Sequence, residues 1–310
     1  MSHAIDTPRK KPGSGRRRAL LPALLVIIGL VVMLYPVVAS QWNNHVQQEA
    51  AQRYEDLVQE TDPVYLNEQV ERARAYNEAH TDGPILDPWL ARVNEDNLDY
   101  QEYLKQLAGA SAMSHVAIPS IESSLPVNHG TTDAVLQKGL GHLYGSALPV
   151  GGEGNHTVIT GHTGLTNATL WDDLINVKEG DAIYVSTYGE RMKYEVHGIE
   201  TVLPDETDSL RSVAGEDLLT LITCTPYGIN THRLLVHAHR VPMDPAEESV
   251  FKDSAKLMQW WMWLVVAFAA LVLLALIWWL LRNARRNRAA AAAIAGDMTP
   301  APTPRTTDQE

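Results

Sequence analysis

The sequence predicts a mainly β protein, a closed or nearly closed β-barrel of one domain with a helical N-terminal extension, flanked by two transmembrane helices. Three observations carry that expectation. Two long stretches, Ala19 to Ser40 and Leu257 to Leu281, contain no charged residue. Residues 43 to 110 are polar and helical in pattern. From His115 to Val241, short β-rich runs alternate with glycine and proline, as in an all-β domain.

Each uncharged stretch exceeds the roughly 20 residues that cross a bilayer. Before the first lie Arg9, Lys10, Lys11, Arg16, Arg17 and Arg18, and after the second lie Arg282, Arg285, Arg286 and Arg288. The positive-inside rule then puts both ends, 1–18 and 282–310, in the cytoplasm and everything between the spans (19–40 and 257–281) outside. Trp260, Trp261 and Trp263 at one end of the second span, with Trp278 and Trp279 at the other, match interfacial belts. The rival reading of 19–40 is a cleaved signal peptide, because Val37-Val38-Ala39 loosely fits a small-residue cleavage site; the long apolar run favours an uncleaved anchor. The Ala-, Pro- and Thr-rich end reads as a disordered tail.

Residues 41–258 carry 33 Asp plus Glu against 14 Lys plus Arg, an excess of 19 negative charges. So acidic an ectodomain argues against nucleic acid as a partner. Within it, 41–112 is expected to form the helical extension. Asp62-Pro63 supplies an N-cap and a proline at the first helical position of a helix running towards Ala79, and Thr81-Asp82-Gly83-Pro84 ends it. The barrel is expected over 113–243, with strands at Val116–Ile118, Thr157–Thr160, Ala182–Val185, Met192–Val196, Leu218–Thr223 and Leu234–His237. Residues 244–256 read as a juxtamembrane linker.

One cysteine is present, Cys224, where the run Leu218–Thr223 enters a loop. A lone thiol cannot form an intramolecular disulfide, so outside a reducing compartment it points to nucleophilic chemistry. Arg233 opens the next extended run, and a loop of this length brings both side chains to one end of a sheet. There a guanidinium lowers a thiol pKa or donates to an oxyanion. The alternative, a buried small hydrophobe beside a surface charge, stays open on spacing alone. A cysteine nucleophile needs a proton partner, usually histidine. Among twelve histidines His162 is the best placed, on the glycine-flanked turn Gly161-His162-Thr163-Gly164 that follows a strand. His115, His129, His142, His197 and His232 read as structural or surface groups. His237 and His239 alternate on one strand, but zinc sites take three or four ligands and no further Cys or His stands at matching spacing, so no metal or cofactor is expected. Asp87-Pro88-Trp89 on its own is a turn followed by a core aromatic.

These residues carry a resemblance. Thr220-Leu221-Ile222-Thr223-Cys224, Arg233 downstream and His162 in a Thr-Gly-His turn resemble the active-site signature of sortases. The longer string from Thr223 to Leu234 is similar to the class C, pilin-polymerising branch, as are His129-Gly130-Thr131, Leu148-Pro149-Val150-Gly151-Gly152 and Val202-Leu203-Pro204. The likeness covers about residues 84 to 241. It departs from the class at Thr163, where arginine is usual, and at Asn128, where an aromatic residue is common. What the resemblance implies is a sortase β-barrel and a membrane-anchored cysteine transpeptidase with Cys224 as nucleophile, His162 as acid and Arg233 as oxyanion donor. Its substrates would be secreted pilin subunits bearing LPXTG-type sorting signals. A segment at 85–89 would be a lid, Asp87 engaging the region of Arg233 and Trp89 covering Cys224. Anchoring to a cell-wall peptide amine and a non-catalytic membrane-tethered binding module are the alternatives.

Overall fold

The computed structural model describes residues 14–80, 87–89, 94, 96–252 and 258–296. The chain divides into two units, 37–259 and the apolar segments on either side of it. The flanking unit holds the first part of α1 (Ser14–Glu60) and α5 (Trp260–Gly296). Both are long and apolar enough to cross a membrane, and Leu24, Val31, Leu264, Leu271 and Leu274 leave their side chains exposed. Helix α1 runs through the first apolar stretch and on to Glu60, into the segment expected to be helical. One expectation is corrected: the tail expected to be disordered from 282 is helical to Gly296. In both places the sequence beyond the apolar run is rich in strong helix formers, Gln, Glu and Ala in the first and Arg and Ala in the second.

In the other unit, eight strands close a barrel: β1 (Ser114–Ile118), β2 (Ser123–His129), β3 (Leu140–His142), β4 (Asn155–Thr160), β5 (Ala182–Thr187), β6 (Glu190–Val202), β7 (Asp217–Thr225) and β8 (His232–Val241). Their order around the barrel is β1-β2-β3-β4-β7-β8-β6-β5, with β2–β3 and β4–β7 parallel and the other pairs antiparallel. Alternation sorts the side chains. Leu219, Leu221, Val236, Ala238 and Ile159 fill the interior. The residues between them, Ile222, Leu235 and Val158, point outwards into a second apolar cluster with Leu143 and Leu210.

The extension packs on this barrel through the last turns of α1 and through α2 (Pro63–Ala79), which Asp62 caps as expected by accepting from the Val64 N–H at 3.0 Å. Tyr54 is fully buried, and its hydroxyl accepts from the Tyr188 N–H at 2.8 Å. Glu55 lies 3.0 Å from His115 Nδ1, both side chains 1% exposed, so this buried carboxylate meets a histidine whose other nitrogen reaches Ser124. Asn77 on α2 exchanges two hydrogen bonds with the Leu148 backbone. Short α3 (Leu98–Tyr103) delivers Tyr103 to the buried His142, and α4 (Asp133–Leu136) precedes β3. In the stretch expected to be a linker, Pro245–Lys252 forms a 3-10 helix that buries Phe251 beside Ala117 and Tyr184.

Candidate active site

The pairing of β7 with β8 sets Cys224 directly opposite Arg233. Residues paired across an antiparallel ladder share a face, so thiol and guanidinium lie side by side on the outer surface, at the end of the sheet. Parallel pairing of β4 with β7 supplies the third group. Thr160 is in register with Ile222, and the Gly161 N–H donates to the Ile222 carbonyl at 3.1 Å. Two residues onward on each chain stand His162 and Cys224. The Thr223 hydroxyl donates to the Gly161 carbonyl at 2.8 Å and ties the two strand ends together. Glycine is required at 161, because a Cβ there would come within 2.7 Å of Leu140 and 2.8 Å of Trp171.

The segment at 87–89 bonds to two of these groups, Arg233 and His162. Asp87 accepts from Arg233 Nε at 2.7 Å and from a terminal guanidinium nitrogen at 3.2 Å, with both side chains 6% exposed. The Trp89 N–H donates to the same carboxylate at 3.0 Å, an Asx turn across Pro88. The Trp89 ring lies 4.8 Å from the Arg233 guanidinium, and its indole N–H donates to His162 Nδ1 at 3.4 Å. It also packs against the apolar cluster of Ile222, Leu235, Val158, Leu143 and Leu210. Trp89 is therefore partly a packing aromatic, on the outer cluster and not in the barrel core. Ile85 and Leu86 lie outside the described residues.

Burial and the neighbouring charges set the protonation of the thiol and the imidazole. Burial pushes the Cys224 thiol up to about 11; Arg233 pulls it down, and the Asp87 carboxylate beside that arginine pushes it up again. Burial likewise lowers His162, partly offset by Asp133. At neutral pH a neutral thiol thus faces a neutral imidazole, whose Nδ1 is occupied as an acceptor.

Sequence reasoning missed Asp172. Its carboxylate accepts from the Gly164 N–H at 2.7 Å and the Thr163 hydroxyl at 3.1 Å, the two residues that follow His162. Burial raises it to about 6 despite those bonds, and it also interacts with the Tyr227 hydroxyl on the loop after Cys224. Gly164, at φ +77°, lies against Gly228 in that same loop. Asp172 joins the histidine turn to the cysteine loop across the chain, and no local pattern marks it. Other histidines have structural partners: His142 with Tyr103 and Ala147, His129 with Gln106, and His156 with Thr220. His237 bonds Thr220 and Glu200, and His239 meets His197. Among the described residues no three His, Cys, Asp or Glu side chains are arranged to hold a metal ion.

Residues 116–241 match the family model described as the sortase domain. Sortase C-1 of Actinomyces oris is 52% identical, with a TM-score of 0.56 over 57% of this chain and 99% of that one. The chain belongs to the sortase family. A lid mutant of sortase A from Corynebacterium diphtheriae is 48% identical, with a TM-score of 0.56 over 60% of this sortase and 98% of that chain. Sortase C of Streptococcus pneumoniae is 38% identical, with a TM-score of 0.58 over 63% and 97%. This sortase spans between half and two thirds of the length of the curated sortases it matches.

Proposed function

We propose that this sortase is a class C enzyme, a cysteine transpeptidase that cleaves an LPXTG-type signal between Thr and Gly and joins the acyl group to a lysine amine of a pilin subunit. The observation that carries the reading is the Asp87-Pro88-Trp89 segment bonded to His162 and to Arg233, the residue paired with Cys224. Two solved relatives support it: the one at 48% identity is a lid mutant, and the structure of the pneumococcal sortase C is described as giving insight into pilin substrate specificity.

The chemistry follows from the three groups. With the lid lifted, the Cys224 proton passes to His162 and the thiolate attacks the threonine carbonyl. Arg233, released from Asp87, donates to the oxyanion. Collapse breaks the threonine–glycine C–N bond, and imidazolium His162 gives its proton to the departing glycine amine, leaving a thioester on Cys224. The lysine amine then attacks the thioester carbonyl, its proton passes through His162, and the thiol returns as the isopeptide bond forms. Domain bounds follow the same reading, with the barrel at 113–243 outside the membrane, spans at 19–40 and 257–281, and both termini cytoplasmic. The test is to incubate the enzyme with pilin subunits. Covalent dimers joined from threonine to a lysine Nζ support the proposal. Joining only to cell-wall peptide amines would make it an anchoring sortase, and absence of any transfer would remove the enzyme reading.

A further inference from the structure

A groove of about 460 Å³ lies on the outer face of the sheet, beyond the apolar cluster from Cys224. It is lined by Thr220, His237 and His156 and by Glu179, Glu200 and Glu216, among others. Neither lysine nor arginine is among its described lining residues. Strand register connects it to the catalytic pair. Along β7 and β8 the outward pairs run Cys224 and Arg233, Ile222 and Leu235, then Thr220 and His237. One face therefore presents, in order, the reacting thiol, an apolar band and an acidic groove.

The order fixes which part of a substrate reaches the groove. On the reading of Cys224 as the acceptor of a threonine acyl group, the motif Leu-Pro-X-Thr places four residues behind the scissile bond. An extended chain rises about 3.3 Å per residue, so the motif spans roughly 13 Å, the same distance that β7 covers from Cys224 to Thr220. Threonine then lies at Cys224 and the Leu-Pro pair lies over Ile222, Leu235 and Val158, where Trp89 packs when the lid is shut. The residues just upstream of the leucine arrive over the groove.

We propose that this groove is a subsite for a basic side chain, lysine or arginine, within the first three positions upstream of the sorting signal. The inference rests on the transpeptidase reading above and adds a specificity determinant to it. Two of the lining histidines add little positive charge against the glutamates: burial lowers His156 to about 4 and His197 is lowered as well, while Glu200 is held below the usual carboxylate range by its bonds to Ser209 and His237. Arg211, an exposed side chain, lies 3.6 Å from Asp208. A Lys or Arg stem would lie along Leu218 and Val213 with its charged end among the glutamates.

The test uses the full-length enzyme in detergent and three peptides that carry Lys-Lys, Ser-Ser or Glu-Glu immediately before the same Leu-Pro-X-Thr-Gly. The expected order of kcat/KM for Cys224 acylation is lysine, serine, glutamate, with steps of roughly three- to tenfold, the range that two or three accessible ion pairs acting together can supply. The preference should shrink as salt is raised. Glu179→Gln/Glu216→Gln, at two exposed positions where folding is not at stake, should compress the lysine-over-glutamate ratio, and Glu216→Lys should move it towards the glutamate peptide. Equal acylation of the three peptides, or an unchanged ratio in both variants, would overturn the subsite while leaving the transpeptidase reading intact. Failure of every peptide to acylate Cys224 would overturn both.

Discussion

Replacing Asp87 by alanine should convert an occluded thiol into a reactive one, by two routes that separate experimentally. Asp87 makes two charge-assisted hydrogen bonds to Arg233 with both side chains nearly buried. Bonds of this kind contribute about 1.5–3 kcal/mol each to a closed state, less what water returns to the released charges. A net 1.4–2.8 kcal/mol corresponds to about a 10- to 100-fold larger open fraction, and the labelling rate scales with that fraction. The second route is electrostatic. Asp87 raises the Cys224 pKa and Arg233 lowers it, so removing the carboxylate moves the thiol down from about 11 and enlarges the thiolate fraction at any pH below the new value. The two effects share a sign but differ in form: opening scales the rate at every pH, whereas the pKa change shifts the midpoint to lower pH. Labelling of full-length enzyme with a small neutral thiol reagent, followed across about pH 6 to 10, reads both. Trp89→Ala should raise the rate with a smaller midpoint shift, because Asp87 remains. Wild-type and Asp87→Ala profiles that coincide would refute the gating argument.

Other expectations follow from the same contacts. His162→Ala and Arg233→Ala should each lower kcat/KM for a signal peptide by about 10²-fold or more, and near-normal turnover in either would show that the wrong partner has been chosen. Asp172→Ala should lower kcat more than it raises KM, while Asp172→Asn, which keeps an acceptor for the Gly164 N–H and Thr163 hydroxyl, should retain most activity; equal losses in the two variants would mean that the charge itself matters. Acid should destabilise the barrel. His142 falls from 6.5 to about 4 on burial, so the unfolded chain binds the extra proton between those values and stability is lost as pH falls through them. The loss is roughly 3 kcal/mol for that group, and thermal melts at about pH 7 and pH 4.5 of wild type and His142→Gln check it.

What depends on neighbours along the chain is legible in the sequence. The β7–β8 hairpin is short enough that the pairing of Cys224 with Arg233 follows from two β-branched runs and the loop between them. Strands β4 and β7 are dense in Val, Ile, Thr and Leu, which places His162 and Cys224 at strand ends. Strand β2 is not visible, because Ser123, Ser124, Pro126 and Asn128 break the β pattern, and β3 is only three residues long. The helical run past Leu281 escapes a reading by hydropathy, since the end of an apolar stretch does not end its helix when strong helix formers follow. Asp172 lies eight to nine residues from the turn it holds, and Asp87 is 146 residues from Arg233. Contacts of that kind depend on closure of the barrel, and the second is expected only through family resemblance.

The most direct test of the central claim is intact-protein mass spectrometry of the full-length enzyme, with an Asp87→Ala/Trp89→Ala variant beside it, after brief exposure to a Leu-Pro-X-Thr-Gly peptide and acid quenching. The account predicts a mass increase equal to the peptide truncated after threonine, a hydroxylamine-labile bond that maps to Cys224, faster accumulation in the lid variant and no adduct in Cys224→Ala. An unmodified Cys224 in the lid variant, or an adduct that persists in Cys224→Ala, would contradict it.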